Sequence, residues 1–305
     1  MLVLRRSHAQ WNRPAGFLHQ PVNPCSLIVM DIAFTKMHGS GNDFVVLNCL
    51  EQAFSLTPEQ IKRLGDRHFG IGFDQLLVIG PARHQDADVS YRIYNNDGGE
   101  VSQCGNGARC IGAYLYERGI VRKDEIVAET REGLLRLYHL SDGRIRVNMG
   151  VPRLEPADIP LRADRRSPVY HVTINNKDIA FSAVSMGNPH AVLHVDNVDT
   201  APVDVMGPLI QQQALFPEGV NVGFMQIIDP GHIRLRVYER AVGETLACGS
   251  GACAAVVAGR LEAKLGENVD VGLTGGHLLV SWRGEGEPVW VTGPATFVYE
   301  GRITI

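Results

Sequence analysis

This chain of 305 residues has no uninterrupted apolar run of about 18 residues, which argues against a membrane-spanning helix. It has no basic excess: 29 Lys and Arg stand against 33 Asp and Glu, for a formal net charge of −4. A nucleic-acid scaffold, which carries clustered positive charge, is therefore disfavoured. Low-complexity tracts are missing. Cysteine is scarce, with Cys25, Cys49, Cys104, Cys110, Cys248 and Cys253, and no CxxC pair occurs. The spacings of six (104 and 110) and five (248 and 253) are not those of a zinc knuckle, and no His-x3–5-His pair sits beside them. There is no secretory h-region, and a chain this long buries a core without staples. Reduced thiols in a cytoplasmic setting are the expectation. What is present is ordinary: 45% hydrophobic and 20% charged residues, at a length suited to two domains or one large one.

Residues 1–29 differ from the rest. They hold Arg5, Arg6 and Arg13, only two serines, and no acidic residue. Arginine without acid is a feature of transit peptides, but the serine content is low. A dispensable, disordered extension, or a start codon placed too early, is the expectation. From Met30 the sequence turns strand-like.

The main feature is an internal repeat. "RIYNNDGGEVSQCGNGA" (92–108) aligns without a gap on "RVYERAVGETLACGSGA" (236–252), with eight identities in 17 positions. Average usage would give roughly one. Upstream, "GSGNDFVVL" (39–47) resembles "SMGNPHAVL" (185–193), and "GFDQLLVI" (72–79) resembles "GFMQII" (223–228). Three landmarks in the same order imply two homologous domains facing each other, each contributing a cysteine loop. Two long copies are too few for a solenoid.

Short β-branched runs bounded by Gly, Pro, Asn or Asp dominate, for example "FVVLN", "QLLVIG", "VSYRIYN" and "IRLRVYE". Helices are expected at about 58–68, 106–118, 205–215 and 250–264. Thr57 reads as an N-cap, with Pro58 at the first helical position. The fold class is strand-rich α+β. "GARCIGAYLYERG" and "SGACAAVVAGRLEAKLG" are rich in small residues and apolar nearly all round, so each helix belongs at a domain centre, wrapped by sheet.

A thiol before such a helix is open to several readings: metal ligand, disulfide half, packed filler, or reactive acid/base. The helix dipole and free N–H groups favour thiolate and can bring its pKa from about 8.5 toward neutrality. The same N–H groups bind carboxylates, and glycines at 105, 107, 249 and 251 leave room for an anion. A lone cysteine here would be read as packing, but a matched pair in matched Gly loops reverses that. Pseudo-twofold symmetry would set Cys104 and Cys248 across one cleft. Two opposed acid/base groups suit inversion of a carbon bearing an acidic C–H, one removing the proton and the other returning it to the opposite face. Facing helix N-termini can stabilise the carbanion through its carboxylate. No lysine or phosphate-loop context points to pyridoxal phosphate, and no cofactor or metal is expected. Cys110 and Cys253, one to two turns into the helices, read as packing. "GSGACA" with Asp270 also satisfies a dinucleotide-binding pattern, but the twin loop lacks the third small residue.

With "KMHGSGNDF", "GFDQLL", "YRIYNNDGGEVSQCGNGARC", "VSMGNPH", "NVGFMQ" and "YERAVGETLACGSGACAA", the chain resembles the diaminopimelate epimerase family from about Asp31 to Ile305. The two cysteine motifs separate it from proline racemases and phenazine-biosynthesis-type isomerases of the same fold. The resemblance implies two pseudo-symmetric domains, each a mostly antiparallel β-barrel-like sheet around a central helix: residues 30–148 plus 294–305, and 149–293. It implies a cofactor-free isomerase interconverting LL- and meso-diaminopimelate in lysine and peptidoglycan-precursor synthesis. A homodimer is implied, with no nucleic-acid or membrane partner. By position, Cys104 and Cys248 take the two acid/base roles. Gly105, Asn106, Gly249 and Ser250 fall where the family binds the reacting carboxylate. Asn42, Gln75, Asn95, Asn188, Asn221, Glu239 and Arg240 fall on substrate-holding positions, and His190 lies beside the site. Gly99 stands where the family has Ser, and Ser40 where Leu is common. The alternatives are a proline or hydroxyproline isomerase of the same fold, or a thiol redox or metal-binding protein.

Overall fold

The computed structural model describes residues 31–51, 54–101 and 104–305. The extension expected over 1–29, with Cys25, lies outside them. The first half runs β1 (Asp31–Gly39), β2 (Asn42–Asn48), α1 (Pro58–Gly65), β3 (Gln75–Gly80), β4 (Val89–Asn95), β5 (Glu100–Val101), α2 (Gly105–Glu117), β6 (Glu125–Thr130), β7 (Gly133–His139) and β8 (Ile145–Asn148). The second runs β9 (Tyr170–Ile174), β10 (Lys177–Ser185), β11 (Pro189–His194), α3 (Val203–Gln211), β12 (Asn221–Asp229), β13 (His232–Glu239), β14 (Gly243–Thr245), α4 (Gly249–Leu261), β15 (Asn268–Leu273), β16 (Gly276–Ser281), β17 (Trp290–Gly293) and β18 (Thr296–Thr304).

The pairings repeat. β2 lies parallel to β3 and β11 to β12, each through an outer helix, α1 or α3. β4 lies parallel to β6 and β13 to β15, each through a central helix, α2 or α4. All other strand pairs among the described residues are antiparallel. β18 returns to pair with β1, as β9 pairs with β10. The last strands of the two copies, β8 and β17, pair with each other and join the halves into one 18-stranded sheet. The α+β class and its two-fold repetition are as expected.

Strands between an outer and a central helix bury both faces, so they read as continuous apolar runs. In β2, Phe44 and Val46 face the central core, while Val45 and Leu47 face α1 beside Ile61 and Leu64. In α4 every residue from Gly251 to Gly259 is buried, and in α2 every residue from Asn106 to Leu115. Cys110 and Cys253 are wholly buried in that core.

The four helices fall where expected, with ends set by local chemistry. Thr57 caps α1 in a full capping box with Gln60. This helix stops at Gly65, short of 68, because Asp66 Oδ1 takes the N–H groups of His68 (2.7 Å) and Phe69 (2.8 Å). α4 stops at Leu261, where Ala263 turns left-handed (φ 57°). One alignment shifts. "GFDQ" and "GFMQ" are not structural twins: β2 sets Phe44 opposite Gln75, and β11 sets His190 opposite Asn221. The twin of Gln75 is Asn221, five residues before Gln226, because strand register outweighs a short likeness.

Candidate active site

Each cysteine is delivered by a pinned hairpin. Arg92 on β4 grips Glu100 on β5 in a two-pronged ion pair (2.9 and 2.7 Å). Its twin Arg236 on β13 grips Glu244 on β14 (2.6 and 2.8 Å). Two of the eight repeated identities are this arginine and this glutamate. The chain then enters α2 through Cys104 and α4 through Cys248, both extended N-caps. Their carbonyls accept the first helical bonds from Ala108 (2.8 Å) and Ala252 (2.9 Å). Cys104 Sγ accepts from the Gly107 N–H (3.4 Å), and Cys248 Sγ lies 3.6 Å from Ser250 Oγ. The two helix starts abut: a Cβ on Gly249 would lie 3.8 Å from the Gly105 Cα and 3.5 Å from Asn106 Oδ1. The N-terminal ends of both helices, where backbone N–H groups lack helical partners, therefore meet in one place.

That place is a cleft of about 990 Å³ between the halves. Cys104, Gly105, Asn106, Cys248, Gly249 and Ser250 line it. So do Asn42, Gln75, Asn95, Asn188, Glu239 and Arg240. Asn221 and His190 stand behind the wall, 3% and 1% exposed. The Asn221 amide is spent on the Pro189 carbonyl (3.2 Å) and the Arg240 N–H (2.8 Å). Arg240 directs its guanidinium to the Glu218 carbonyl (2.8 Å). His190 Nε2 contacts Asn188 Oδ1 (3.0 Å), leaving the Asn188 NH2 group for Ser250 Oγ (3.4 Å). Gln75 donates to Asn95 Oδ1 (3.0 Å).

The electrostatics differ from the sequence expectation for the thiols. Burial pushes Cys104 up to about 11, against the pull of the Gly107 N–H, and the Glu239 charge adds to the rise. Burial, then Glu239, lifts Cys248 well above its ordinary value. Desolvation at the two helix starts outweighs the helix dipole, so both thiols are protonated without ligand. Burial raises Glu239 too, with Thr245 (2.5 Å) pulling it back. Burial, then Arg240, holds His190 neutral, down to about 3.

The glycines split into two kinds. Gly105 and Gly249 face the cleft, as the anion-cradle reading requires. Gly107 and Gly251 face the sheet. A Cβ on Gly107 would lie 2.8 Å from the Tyr91 hydroxyl, and one on Gly251 3.1 Å from Val237. There glycine lets the helix lie close to the strands.

Sequence reasoning passed over an ion cluster on the first-half wall. Asp43 accepts both prongs of Arg67 (3.0 and 2.7 Å) and Lys36 Nζ, and Arg67 also grips Asp74 (2.7 Å). Burial opposes ionisation of Asp43, but Arg67 and Lys36 outweigh it and hold the carboxyl at about 2. Both aspartates sit inside quoted motifs, next to Asn42 and Gln75, and adjacency was the available signal. Arg109, wholly buried on α2, was also missed; its Nη2 finds no partner among the described residues. No group of three His, Cys, Asp or Glu among the described residues is placed to hold a metal, and no helix among them is long and apolar enough to cross a membrane.

The geometry agrees with comparison to known proteins. The profile described as diaminopimelate epimerase matches residues 34–155 and 182–298, one stretch in each half. The diaminopimelate epimerase of Nitrosomonas eutropha is 54% identical over 279 residues, covering 90% of this chain and 100% of the relative. That of Alkalilimnicola ehrlichii is 52% identical over 278 residues, with the same coverage. Among solved structures, a hydroxyproline epimerase from Agrobacterium vitis superposes with a TM-score of 0.64 at 16% identity, covering 90% of this chain and 93% of that one, and shares the fold. With both halves matched and half the residues identical to such relatives, the chain belongs to the diaminopimelate epimerase family.

Proposed function

We propose that the protein interconverts LL- and meso-2,6-diaminopimelate by removing the α-proton with one of Cys104 and Cys248 and supplying a proton from the other, with no cofactor, in lysine and peptidoglycan-precursor synthesis. The observation that carries this is the pair of twin cysteines capping two abutting helices over one cleft. The reacting carboxylate sits on the N–H groups at Gly105, Asn106, Gly249 and Ser250, where two helix dipoles stabilise the charge that develops as the α-proton leaves. The α-ammonium sits against Glu239 and Asn106 Oδ1, a buried acceptor with no partner among the described residues. That positive charge offsets the Glu239 carboxylate, which otherwise opposes thiolate formation. With substrate bound, one cysteine releases its thiol proton to solvent and stands as thiolate. That sulfur takes the α-proton as a new S–H bond forms, and the other, still a thiol, gives its proton to the opposite face. In reverse the roles exchange. Arg240 and the amides of Asn42, Gln75, Asn95 and Asn188 hold the remaining polar groups, and Asn221 and His190 support them from behind.

The division into 30–148 plus 294–305 and 149–293 belongs to the same proposal, supported by the return of β18 to β1. So does a cytoplasmic homodimer. Free cysteines suit a reducing compartment, and β18 exposes Val298 (53%) and Tyr299 (47%). Light scattering after gel filtration reads the assembly.

The test is incubation with LL-diaminopimelate in deuterated water. Deuterium gain at the α-carbon with appearance of the meso isomer is expected, and Cys104→Ala or Cys248→Ala abolishes it. Activity surviving either substitution refutes the two-thiol reaction. Racemisation of proline in place of diaminopimelate refutes the substrate.

A further inference from the structure

The twin asparagines at the cleft present opposite ends. Asn188 turns its oxygen back to His190 and its NH2 group toward Ser250. Asn42 does the reverse. Its Nδ2 donates backwards to Asp74 Oδ2 (2.9 Å), so its Oδ1 faces forward. There it accepts from Asn106 Nδ2 (3.3 Å) and lies 3.8 Å from Cys104 Sγ, in position to take the thiol proton. Asn106 Nδ2 also donates to the carbonyl of Ala247 (3.1 Å), immediately before Cys248. A carboxylate and a carbonyl accept only, so the polarity of the whole line is fixed at both ends. Its remaining free atom is Asn106 Oδ1, buried and unpaired among the described residues.

Asp74 is itself held. Its Oδ2 also accepts the Asp43 N–H (3.1 Å), its Oδ1 takes Arg67 (2.7 Å), and its own N–H meets the Asp43 carbonyl (3.0 Å). The second half has no counterpart. By strand register the twin of Asp74 is Val220, wholly buried, and the twin of Asp43 is Pro189.

We propose that Asp74, clamped by Arg67, is a positioning residue that fixes the amide polarity of Asn42, as the Ala247 carbonyl fixes that of Asn106, so that the two amides meet oxygen to NH2. Cys104 then meets an acceptor, and an oxygen of Asn106 is left for the substrate ammonium. The catalytic consequence rests on the reaction proposed above, but the polarity does not. Asp74→Asn inverts the Asn42 end of the line and sets it against Asn106, which the Ala247 carbonyl still holds. Arg67, a charged donor, outcompetes the neutral Asp43 N–H and Asn42 Nδ2 for the oxygen of the introduced amide, so its NH2 group faces Asn42 and the Asp43 N–H loses its side-chain acceptor. Asn42 turns over and offers Nδ2 to Cys104. The S–H loses its acceptor and the thiolate gains a donor.

The experiment is iodoacetamide alkylation of Cys104 against pH in the full-length protein without ligand, read by peptide mass spectrometry with Cys248 as internal reference. The ionisable groups facing Cys104 are Glu239 from β13, Arg109 and Cys110 from α2, and Tyr91 from β4, and the substitution removes none of them. The Asp74 charge that it does remove acts on Glu239, which faces both cysteines, so Cys248 reports that effect. In Asp74→Asn the midpoint for Cys104 falls by about one pH unit relative to that for Cys248, the scale of one exchanged hydrogen bond. Epimerisation kcat falls about tenfold or more as Asn106 loses its setting. The double variant Asp74→Asn with Asn42→Asp restores an acceptor at Cys104, and the midpoint rises above that of Asp74→Asn. Mere loosening raises the alkylation rate at every pH without moving the midpoint. An unmoved or raised midpoint in Asp74→Asn, or a double variant that stays low, overturns the proposal. A wild-type protein without epimerase activity overturns the proposed reaction and leaves the alkylation result standing.

Discussion

His190 is a buried histidine whose twin is a phenylalanine, and the substitution His190→Phe therefore borrows a side chain the fold already accepts. Phe44 and His190 hold the same register on β2 and β11 and are 0% and 1% exposed. Burial keeps His190 neutral, with its pKa lowered from 6.5 to about 3. A base with a depressed folded value contributes stability that is whole above the unfolded value. That stability is lost as pH falls from 6.5 toward 3, because only the unfolded chain takes up the proton. At pH 5 the unfolded histidine is protonated about one and a half units deep, which at about 1.4 kcal/mol per unit removes about 2 kcal/mol of stability. The phenylalanine variant lacks this slope. It also loses the contact to Asn188, but that loss does not depend on pH. Urea unfolding of both proteins at pH 7.5 and pH 5 gives the double difference. The wild type should lose about 2 kcal/mol more than His190→Phe between the two conditions. Equal losses would show that the imidazole titrates normally in the folded state and would refute the burial argument.

Three further outcomes follow from the helix starts. Gly107→Ala pushes a methyl to within 2.8 Å of the Tyr91 hydroxyl and should lower stability by about 1–3 kcal/mol in thermal melts. Gly249→Ala meets nothing closer than 3.5 Å, so it should fold normally yet lose turnover with LL-diaminopimelate, because the methyl enters the carboxylate cradle. On the alkaline side, Cys104 ionises near 9.0 when unfolded and near 11 when folded. Stability present below pH 9 should decline as pH rises toward 11, by about 3 kcal/mol from this thiol, and Cys104→Ser should flatten that limb in urea titrations.

The fold was legible because its punctuation is local. Thr57-Pro58 announces α1, and the apolar girth of 249–261 announces a helix surrounded by sheet. The repeat exposed the pairing of Cys104 with Cys248, which neither loop reveals alone. Strand register was less legible. The likeness of "GFDQ" to "GFMQ" pointed to Gln226, while the hydrogen-bonded partner of β11 at His190 is Asn221. Short apolar strands carry little information about register when both faces are buried. The state of the thiols was not legible either. A helix N-terminus is visible in sequence, but the desolvation that overrides it depends on what closes over the sulfur. Asp43 and Asp74 were overlooked because a carboxylate behind an asparagine gives no periodic signal.

The departures from symmetry matter as much as the symmetry. An inverting reaction presents mirror-related faces of one carbon, so paired thiols and paired helix starts suit both faces equally. A substrate with a second amino-acid end is not symmetric about that carbon, and the wall that holds it must differ between halves. The twins differ in that way. Asn95 opposes Gln75 where Glu239 opposes the Asn221 position, and Asn96 precedes the first hairpin turn where Arg240 precedes the second. The first half places its charges, Asp43, Arg67 and Asp74, in one another's grip, and offers amides at the innermost positions. The second half leaves Glu239 beside Cys248, with Arg240 close behind. On the proposed reaction, the shared elements invert the carbon and the unshared ones decide which end of the substrate lies where. Exchanging Asn95 and Glu239 should therefore damage binding of the substrate more than it damages the fold.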